Sequence, residues 1–269
     1  MHAPYRRASI VFMSDTAAGV QFSVLGPTDS VDDGRVSDFY AYRDDLQRCW
    51  VRGNMIASID GAATADGKAG GMADAGDRVL FRLMRYAADV VVVGAATVRV
   101  ENYSGVQVPV AHRGARQRRG QAEVPPIAVV TRSGNLDPDA RFFTRTDVPP
   151  LILTCADAYQ KTRGRLSAVA EVINTSGPHT DRVDPATLLK TLADRGLYRV
   201  LSEGGPQVLG MFVENDLLDE LCLTVAPMLV GGPAPRIVTA PGEVRTRMRP
   251  AHLLCDDAGY LYTRYVRAD

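Results

Sequence analysis

The chain has 269 residues, 46% of them hydrophobic, enough for one large α/β domain with an added segment. Its 31 Lys plus Arg balance 31 Asp plus Glu, so no overall field draws it to nucleic acid or to an anionic membrane. Cys49, Cys155, Cys222 and Cys255 form no C-x-x-C pair, which argues against a disulfide scaffold or a zinc site and fits reduced thiols in the cytoplasm.

From the N-terminus, the apolar run Ile10–Met13 stops at Ser14-Asp15, too short for the apolar core of a signal peptide. No stretch approaches the length of a membrane span. Residues 1–48 have weak periodicity and read as an N-terminal extension, with a polar loop at Asp29, Asp32, Asp33 and Gly34. From residue 49 to 269, short Val/Ile/Leu runs alternate with helical patterns, the signature of an α/β sheet domain.

The first run, Trp50–Ser58, reads as a strand, followed by a glycine-rich loop. A helix is expected over about 74–87, capped by Asp74 or Asp77, with Val79, Leu80, Leu83, Met84 and Ala87 as its apolar stripe. The run 89–94, DVVVVG, suits a strand buried on both faces. Strands are expected at Ile127–Thr131, Leu151–Thr154 and Glu171–Asn174. The next helix has Asp184 as N-cap, Pro185 at its first position and Gly196 as its stop. Strand Tyr198–Ser202 then leads into Glu203-Gly204-Gly205-Pro206 and a helix through Val213. The end is β-rich, with Glu220–Ala226 and Gly259–Val266. In the last run Tyr260, Tyr262 and Arg264 alternate with Leu261, Thr263 and Tyr265, which predicts one face exposed or paired with a partner, and hence a homodimer.

Three places suggest chemistry. At Ser202–Pro206 a buried strand turns into a helix: two glycines permit close approach of a ligand, and the helix start favours a phosphate. A tight turn without a ligand explains the same residues, and the spacing is not G-x-G-x-x-G. At Gly94-Ala95-Ala96-Thr97 a second strand-to-helix junction offers small residues and a hydroxyl, although helix–sheet packing alone would account for them. At Ala57-Ser58-Ile59-Asp60-Gly61 a carboxylate follows a strand, where α/β folds place chemistry, or caps a turn. The basic stretch His112, Arg113, Arg116, Arg118, Arg119 reads as an exposed, solvated loop; the alternative is a flap reaching an anionic ligand. It carries no aromatic platform for nucleic acid. His2, His112, His179 and His252 lack metal-ligand spacing, so no metal is expected.

Together and in order, these segments resemble the reductase domain at the C-terminal end of bifunctional riboflavin-biosynthesis deaminase-reductases. The resemblance rests on A-S-x-D-G at 57–61, on Met84-Arg85 through Asp89, Gly94 and Thr97, on Glu203–Pro206, on Asp219-Glu220-Leu221, and on Ala226-Pro227 through Gly231-Gly232. No H-x-E followed by P-C-x-x-C is present, so the family's zinc deaminase motif is missing. The resemblance implies a dihydrofolate-reductase-like, three-layer α/β sandwich around a mixed, largely parallel sheet. It implies NADPH as cofactor and reduction of 5-amino-6-(5-phosphoribosylamino)uracil to its ribityl product. Carried over by matched motif, Gly94, Thr97, Glu101 and the turn Gly204, Gly205, Pro206, Gln207, Val208 would hold the cofactor. Arg132 and Ser133 would meet its 2′-phosphate, and Arg85 and Glu203 would face the substrate. Glu203, Asp60 or a water would supply the proton. The family is typically dimeric.

Two departures remove positive charge from the expected substrate side: Ala62 follows S-x-D-G where many members carry a basic residue, and Gln107 lies in a stretch without arginine. They leave a dihydropterin such as dihydrofolate as an alternative acceptor, and a non-catalytic NADPH-binding protein as an alternative of another class. Arg85 or the segment Arg113–Arg119 would restore part of the charge.

Overall fold

A computed structural model describes residues 33–268; residues 1–32 of the expected extension, and Asp269, lie outside the described residues. The helices are α1 Asp33–Val36, α2 Ala75–Ala87, α3 Ala95–Val100, α4 Val110–Arg118, α5 Arg141–Thr144, α6 Ala156–Leu166, α7 Pro185–Ala193 and α8 Pro206–Glu214. The strands are β1 Trp50–Ser58, β2 Val90–Gly94, β3 Ile127–Thr131, β4 Leu151–Thr154, β5 Glu171–Asn174, β6 Arg199–Ser202, β7 Glu220–Ala226, β8 Met248–Cys255 and β9 Leu261–Arg267. Among the described residues they form one nine-stranded sheet in the order β5-β4-β3-β2-β6-β1-β7-β9-β8. Pairing is parallel from β5 to β7, and antiparallel for β7–β9 and β9–β8.

The central strand β2 explains the layering. Val91 and Val93 enter one core with Leu80 and Met84 of α2, Val98 of α3 and Leu166 of α6. Val90 and Val92 enter the other, with Leu188, Leu189 and Leu192 of α7 and Leu209 and Phe212 of α8. The period-two alternation of a strand thus sends one valine run into both cores, and the expected three layers are present. Local punctuation holds as well. The Asp184 side chain accepts the Thr187 N–H at 2.7 Å with Pro185 opening α7, and the Asp74 side chain accepts the Asp77 N–H at 2.7 Å at the start of α2.

Three segments differ from the sequence expectation. Residues 110–118 are a helix rather than a loop, and Arg116 is fully buried. Its guanidinium donates to the carbonyls of Tyr86 and Ala88 at 2.8 and 2.7 Å and to that of Ala122, so it closes the C-terminal end of α2. Burial pulls its pKa down to about 10. The tyrosines near the C-terminus do not form a free face: β9 is paired on both sides, Tyr262 is 5% exposed, and its hydroxyl donates to Asp256 at 2.6 Å. The edge is instead β8, which carries no clear strand pattern in the sequence because its inward residues, Met248, His252 and Leu254, are unevenly spaced. Helix α6 was also unanticipated; its inward side amounts to Thr162 and Leu166.

The late part of the expected extension packs on the sheet. Tyr40 is buried, Arg52 donates to its carbonyl at 2.6 Å, and the Tyr42 hydroxyl donates to the carbonyl of Val200 at 3.2 Å. Arg52 is itself buried beside Glu220, which also accepts from Arg264 and the Trp50 indole. Burial alone would push the Glu220 carboxyl up; the two guanidiniums outweigh it and hold it well below the usual range. Among the described residues no helix is long and apolar enough to cross a membrane.

Candidate active site

The two glycine-bearing junctions face one another because β2 and β6 are neighbours in the sheet. The Gly94 N–H donates to the Gly204 carbonyl at 2.8 Å, and the Gly205 N–H donates to Thr97 Oγ1 at 2.9 Å. Gly204 has φ +77°, in the left-handed region that favours glycine. A Cβ on Gly205 would lie 2.7 Å from Thr97 Oγ1, so close approach demands glycine there too. Two cavities open on this junction at the C-terminal ends of the parallel strands, where α/β folds place ligands.

The first cavity, about 540 Å³, lies between α2, α3 and the end of β1. Its walls include Asn54, Met55, Asp77, Phe81, Arg85 and Tyr103. The second, about 610 Å³, runs over the tops of β2 and β3 beside α8. It takes in Gly94, Thr97, Arg132, Ser133 and Gly205 through Val208, together with Arg182. Both volumes suit small-molecule sites. Ala96, Thr97, Gly205, Pro206 and Pro235 belong to both linings, so the cavities share a wall.

Most residues expected to hold the cofactor are thereby brought together in the second cavity. Gly204 stands one residue behind its wall. Glu101 sits in the first cavity instead, where its carboxylate accepts the Ala69 N–H at 2.8 Å.

In the first cavity Arg85 and Glu203 form a two-pronged ion pair. Arg85 Nε and Nη2 donate to the two Glu203 oxygens at 2.6 and 2.7 Å, and the Tyr103 hydroxyl adds a third bond at 2.9 Å. The Glu203 side chain is only 1% exposed and that of Arg85 12%. The Arg85 guanidinium also lies over the Phe81 ring, 4.1 Å from its centroid. Burial, then the Glu203 charge, push the Tyr103 phenol well above its ordinary value, so it remains a donor. Both Glu203 oxygens are thus taken, and its geometry is that of a clamp on Arg85.

Asp60 is placed elsewhere. Its carboxylate lines neither cavity; it accepts from the Ser58 hydroxyl and from the backbone N–H groups of Val230 and Gly231. These bonds, Ser58 first, hold its pKa down at about 2. Besides Glu101 and Glu203, the first cavity is lined by the carboxylic acid Asp77, which the sequence presents as an alternative cap of α2. Asp74 takes the cap, leaving the Asp77 carboxyl to the cavity. Burial pushes its pKa up, opposed by a hydrogen bond with Thr224 and assisted by the Asp74 charge. Tyr103 gave no local signal either, because its meaning lies in a contact a hundred residues along the chain.

The profile of the RibD C-terminal domain matches residues 49–262. The chain belongs to the RibD C-terminal domain family. Riboflavin biosynthesis protein RibD of Bacillus amyloliquefaciens is 30% identical over 189 residues, covering 69% of this chain and 48% of that protein. The chain thus spans about half the length of this RibD relative. The 2,5-diamino-6-ribosylamino-4(3H)-pyrimidinone 5′-phosphate reductase of Archaeoglobus fulgidus is 26% identical over 187 residues, covering 69% of this chain and 83% of that one. Among solved structures, a pyrimidine reductase-like protein from Corynebacterium diphtheriae superposes with a TM-score of 0.74 at 27% identity, covering 82% of this chain and 92% of that one. The architecture shared with these RibD-type reductases is the dihydrofolate-reductase-like fold expected from the sequence.

Proposed function

We propose that the protein is a cytoplasmic, NADPH-dependent reductase that converts 5-amino-6-(5-phosphoribosylamino)uracil to its ribityl product in riboflavin biosynthesis. The observation that carries this reading is the shared wall of the two cavities, which lets a ligand in one meet a ligand in the other. The names of the RibD-family relatives support the pyrimidine as acceptor.

Once the ribose ring of the acceptor has opened, its C–O bond broken and a proton taken up by the ring oxygen, bound NADPH would supply a hydride to the carbon of the resulting carbon–nitrogen double bond. The second cavity fits a dinucleotide: the close packing of Gly205 on Thr97 leaves bare backbone at the turn, and the first turn of α8 presents its positive dipole end. Thr97 and Gly205 belong to the shared wall, and Arg132 and Ser133, which follow β3 in the same lining, would meet the 2′-phosphate. In the first cavity the Arg85–Glu203–Tyr103 clamp holds a rigid polar wall against the acceptor, and Met55 and Phe81 give it apolar sides. Asp77, with its raised pKa, donates the proton to the nitrogen as that atom gains the electron pair. Alignment and placed charge are the protein's contribution.

Dihydrofolate remains a second reading, and one observation favours it. Arg85 is committed to Glu203, Arg116 to backbone carbonyls, and Arg113 to Glu123 and Asp147, so these arginines do not restore the phosphate-binding charge absent at Ala62 and Gln107. Of the arginines lining the first cavity, only Arg78 is exposed at its rim.

Cofactor preference tests the assignment of the second cavity. Arg132→Ala should weaken NADPH binding by about tenfold or more, as loss of a charge-assisted contact does, and leave NADH binding nearly unchanged. Equal losses for both would remove Arg132 from the 2′-phosphate site. We also infer a homodimer, now on the unpaired edge of β8, where Leu253 is 39% exposed. Light scattering at micromolar concentration should give twice the chain mass; a monomer mass would contradict the dimer.

A further inference from the structure

Between β7 and β8, residues 227–239 form a surface strap that passes the junction of the two cavities. Pro235 on this strap lines both of them, and Thr239 lines the second. The strap is tied down along its length. The Ile59 N–H donates to the Met228 carbonyl at 2.9 Å, and the Ala63 N–H to the Pro235 carbonyl at 2.8 Å. Farther on, the Thr239 N–H donates to the carbonyl of Pro206, the first residue of α8, at 3.0 Å. One attachment uses a side chain. The Asp60 carboxylate accepts the Val230 N–H at 3.1 Å on one oxygen and the Gly231 N–H at 2.7 Å on the other. Asp60 is aimed by Ser58, whose hydroxyl donates to it while accepting the Ala62 N–H at 2.9 Å.

We infer that Asp60 is a positioning residue: by gripping Val230 and Gly231 it holds the strap so that Pro235 closes the junction where acceptor and cofactor meet. A carboxylate suits the task, since it presents two acceptor oxygens to two converging backbone donors and charge-assisted bonds of this kind are the strong ones. Asp60 is not the proton donor, because it lines neither cavity. Since Pro235 is a wall of both cavities, loosening the strap must weaken both ligands together. This distinguishes the strap from a residue that touches only one of them.

The inference rests on the reductase reading for its kinetic arm. Asp60→Asn keeps the size of the side chain but can accept only one of the two N–H groups. It should raise both the Kd for NADPH, read by fluorescence titration, and the KM for the pyrimidine by about tenfold. The kcat should stay within about threefold, with an unchanged pH profile. Pro235→Gly should raise the same two constants, and the double variant should fall short of the product of the single effects, as sites acting through one element do. Pro235→Gly alone carries the test if Asp60→Asn does not fold. A kcat lowered by about a hundredfold at unchanged KM, with one limb of the pH profile lost, would make Asp60 a proton donor and overturn the inference. So would unchanged affinities for both ligands, or multiplicative effects. A wild-type protein that neither binds NADPH nor turns over would defeat the reductase reading instead. The strap is then judged by amide hydrogen exchange: Asp60→Asn must speed exchange at Val230, Gly231 and Thr239 together, and acceleration confined to the first two would overturn the coupling.

Discussion

Replacing Glu203 by alanine is expected to destabilise the protein by about 3–5 kcal/mol, the usual cost of stripping one partner from a buried ion pair. The reason is the state in which Arg85 is left. Its guanidinium is nearly enclosed, held by two short bonds to Glu203, and stacked on Phe81. Without Glu203 the charge stays buried with no opposite charge on it, and the Tyr103 hydroxyl loses its acceptor as well. For a chain of this length that cost corresponds to a thermal midpoint lower by about 6–20 °C. Arg85→Ala should be similarly damaging, because it leaves the Glu203 carboxylate buried against Tyr103 alone. The double variant Arg85→Met with Glu203→Leu should recover much of the lost stability, since an apolar pair removes both desolvated charges at once, yet it should not recover turnover. A Glu203→Ala midpoint within about two degrees of wild type would mean that the pair contributes nothing to the fold.

Asp77→Asn should lower turnover by at least about a hundredfold, the lower range for loss of a positioned general acid, while leaving NADPH affinity close to wild type. The carboxyl stands in the first cavity and Asp74, not Asp77, caps α2, so the amide should cost little in folding. The pH dependence has a definite sign. Burial raises the pKa of Asp77, and the protonated form is the active one, so activity is present below that raised value and is lost as pH rises through it. In Asp77→Asn that limb should be gone. Stability carries the same signature: the folded chain holds this proton more tightly than the unfolded chain. Between the ordinary carboxyl value of about 3.9 and the raised one, stability therefore falls as pH rises. The variant should lose that slope. A variant with wild-type turnover and an intact basic limb would exclude Asp77 as the acid.

What the sequence disclosed was local. The caps at Asp74 and Asp184, Pro185 at the start of α7, the valine run of β2 and the turn Glu203–Pro206 all depend on neighbours within a few residues. Their spacing already carries the physics. Motif order did the rest for the cofactor side, where Thr97, Arg132 and Gly205 come from separate segments that parallel strands bring to one edge. The acceptor side was less legible because its meaning lies in contacts across the chain. Nothing near Tyr103 says that its hydroxyl meets Glu203. Asp74 and Asp77 are equivalent as letters, and only the turn of α2 decides which one caps and which one faces the cavity. Arg116 reads as a solvated charge in a basic stretch, whereas it fills the need of an exposed helix end for donors. The alternation of β9 is legible as a strand but not as an interior strand, because the edge strand β8 that pairs with it is weakly patterned.

NADPH oxidation should be followed with 5-amino-6-(5-phosphoribosylamino)uracil and with dihydrofolate at matched concentrations. The pyrimidine should turn over faster, with slower but measurable turnover of dihydrofolate. The gap is narrowed by about one to two decades because the phosphate-binding charge absent at Ala62 and Gln107 is not replaced. Reduction of dihydrofolate with none of the pyrimidine would contradict the proposed pyrimidine reductase and install the pterin reading, and no oxidation with either acceptor would point to a non-catalytic NADPH-binding protein.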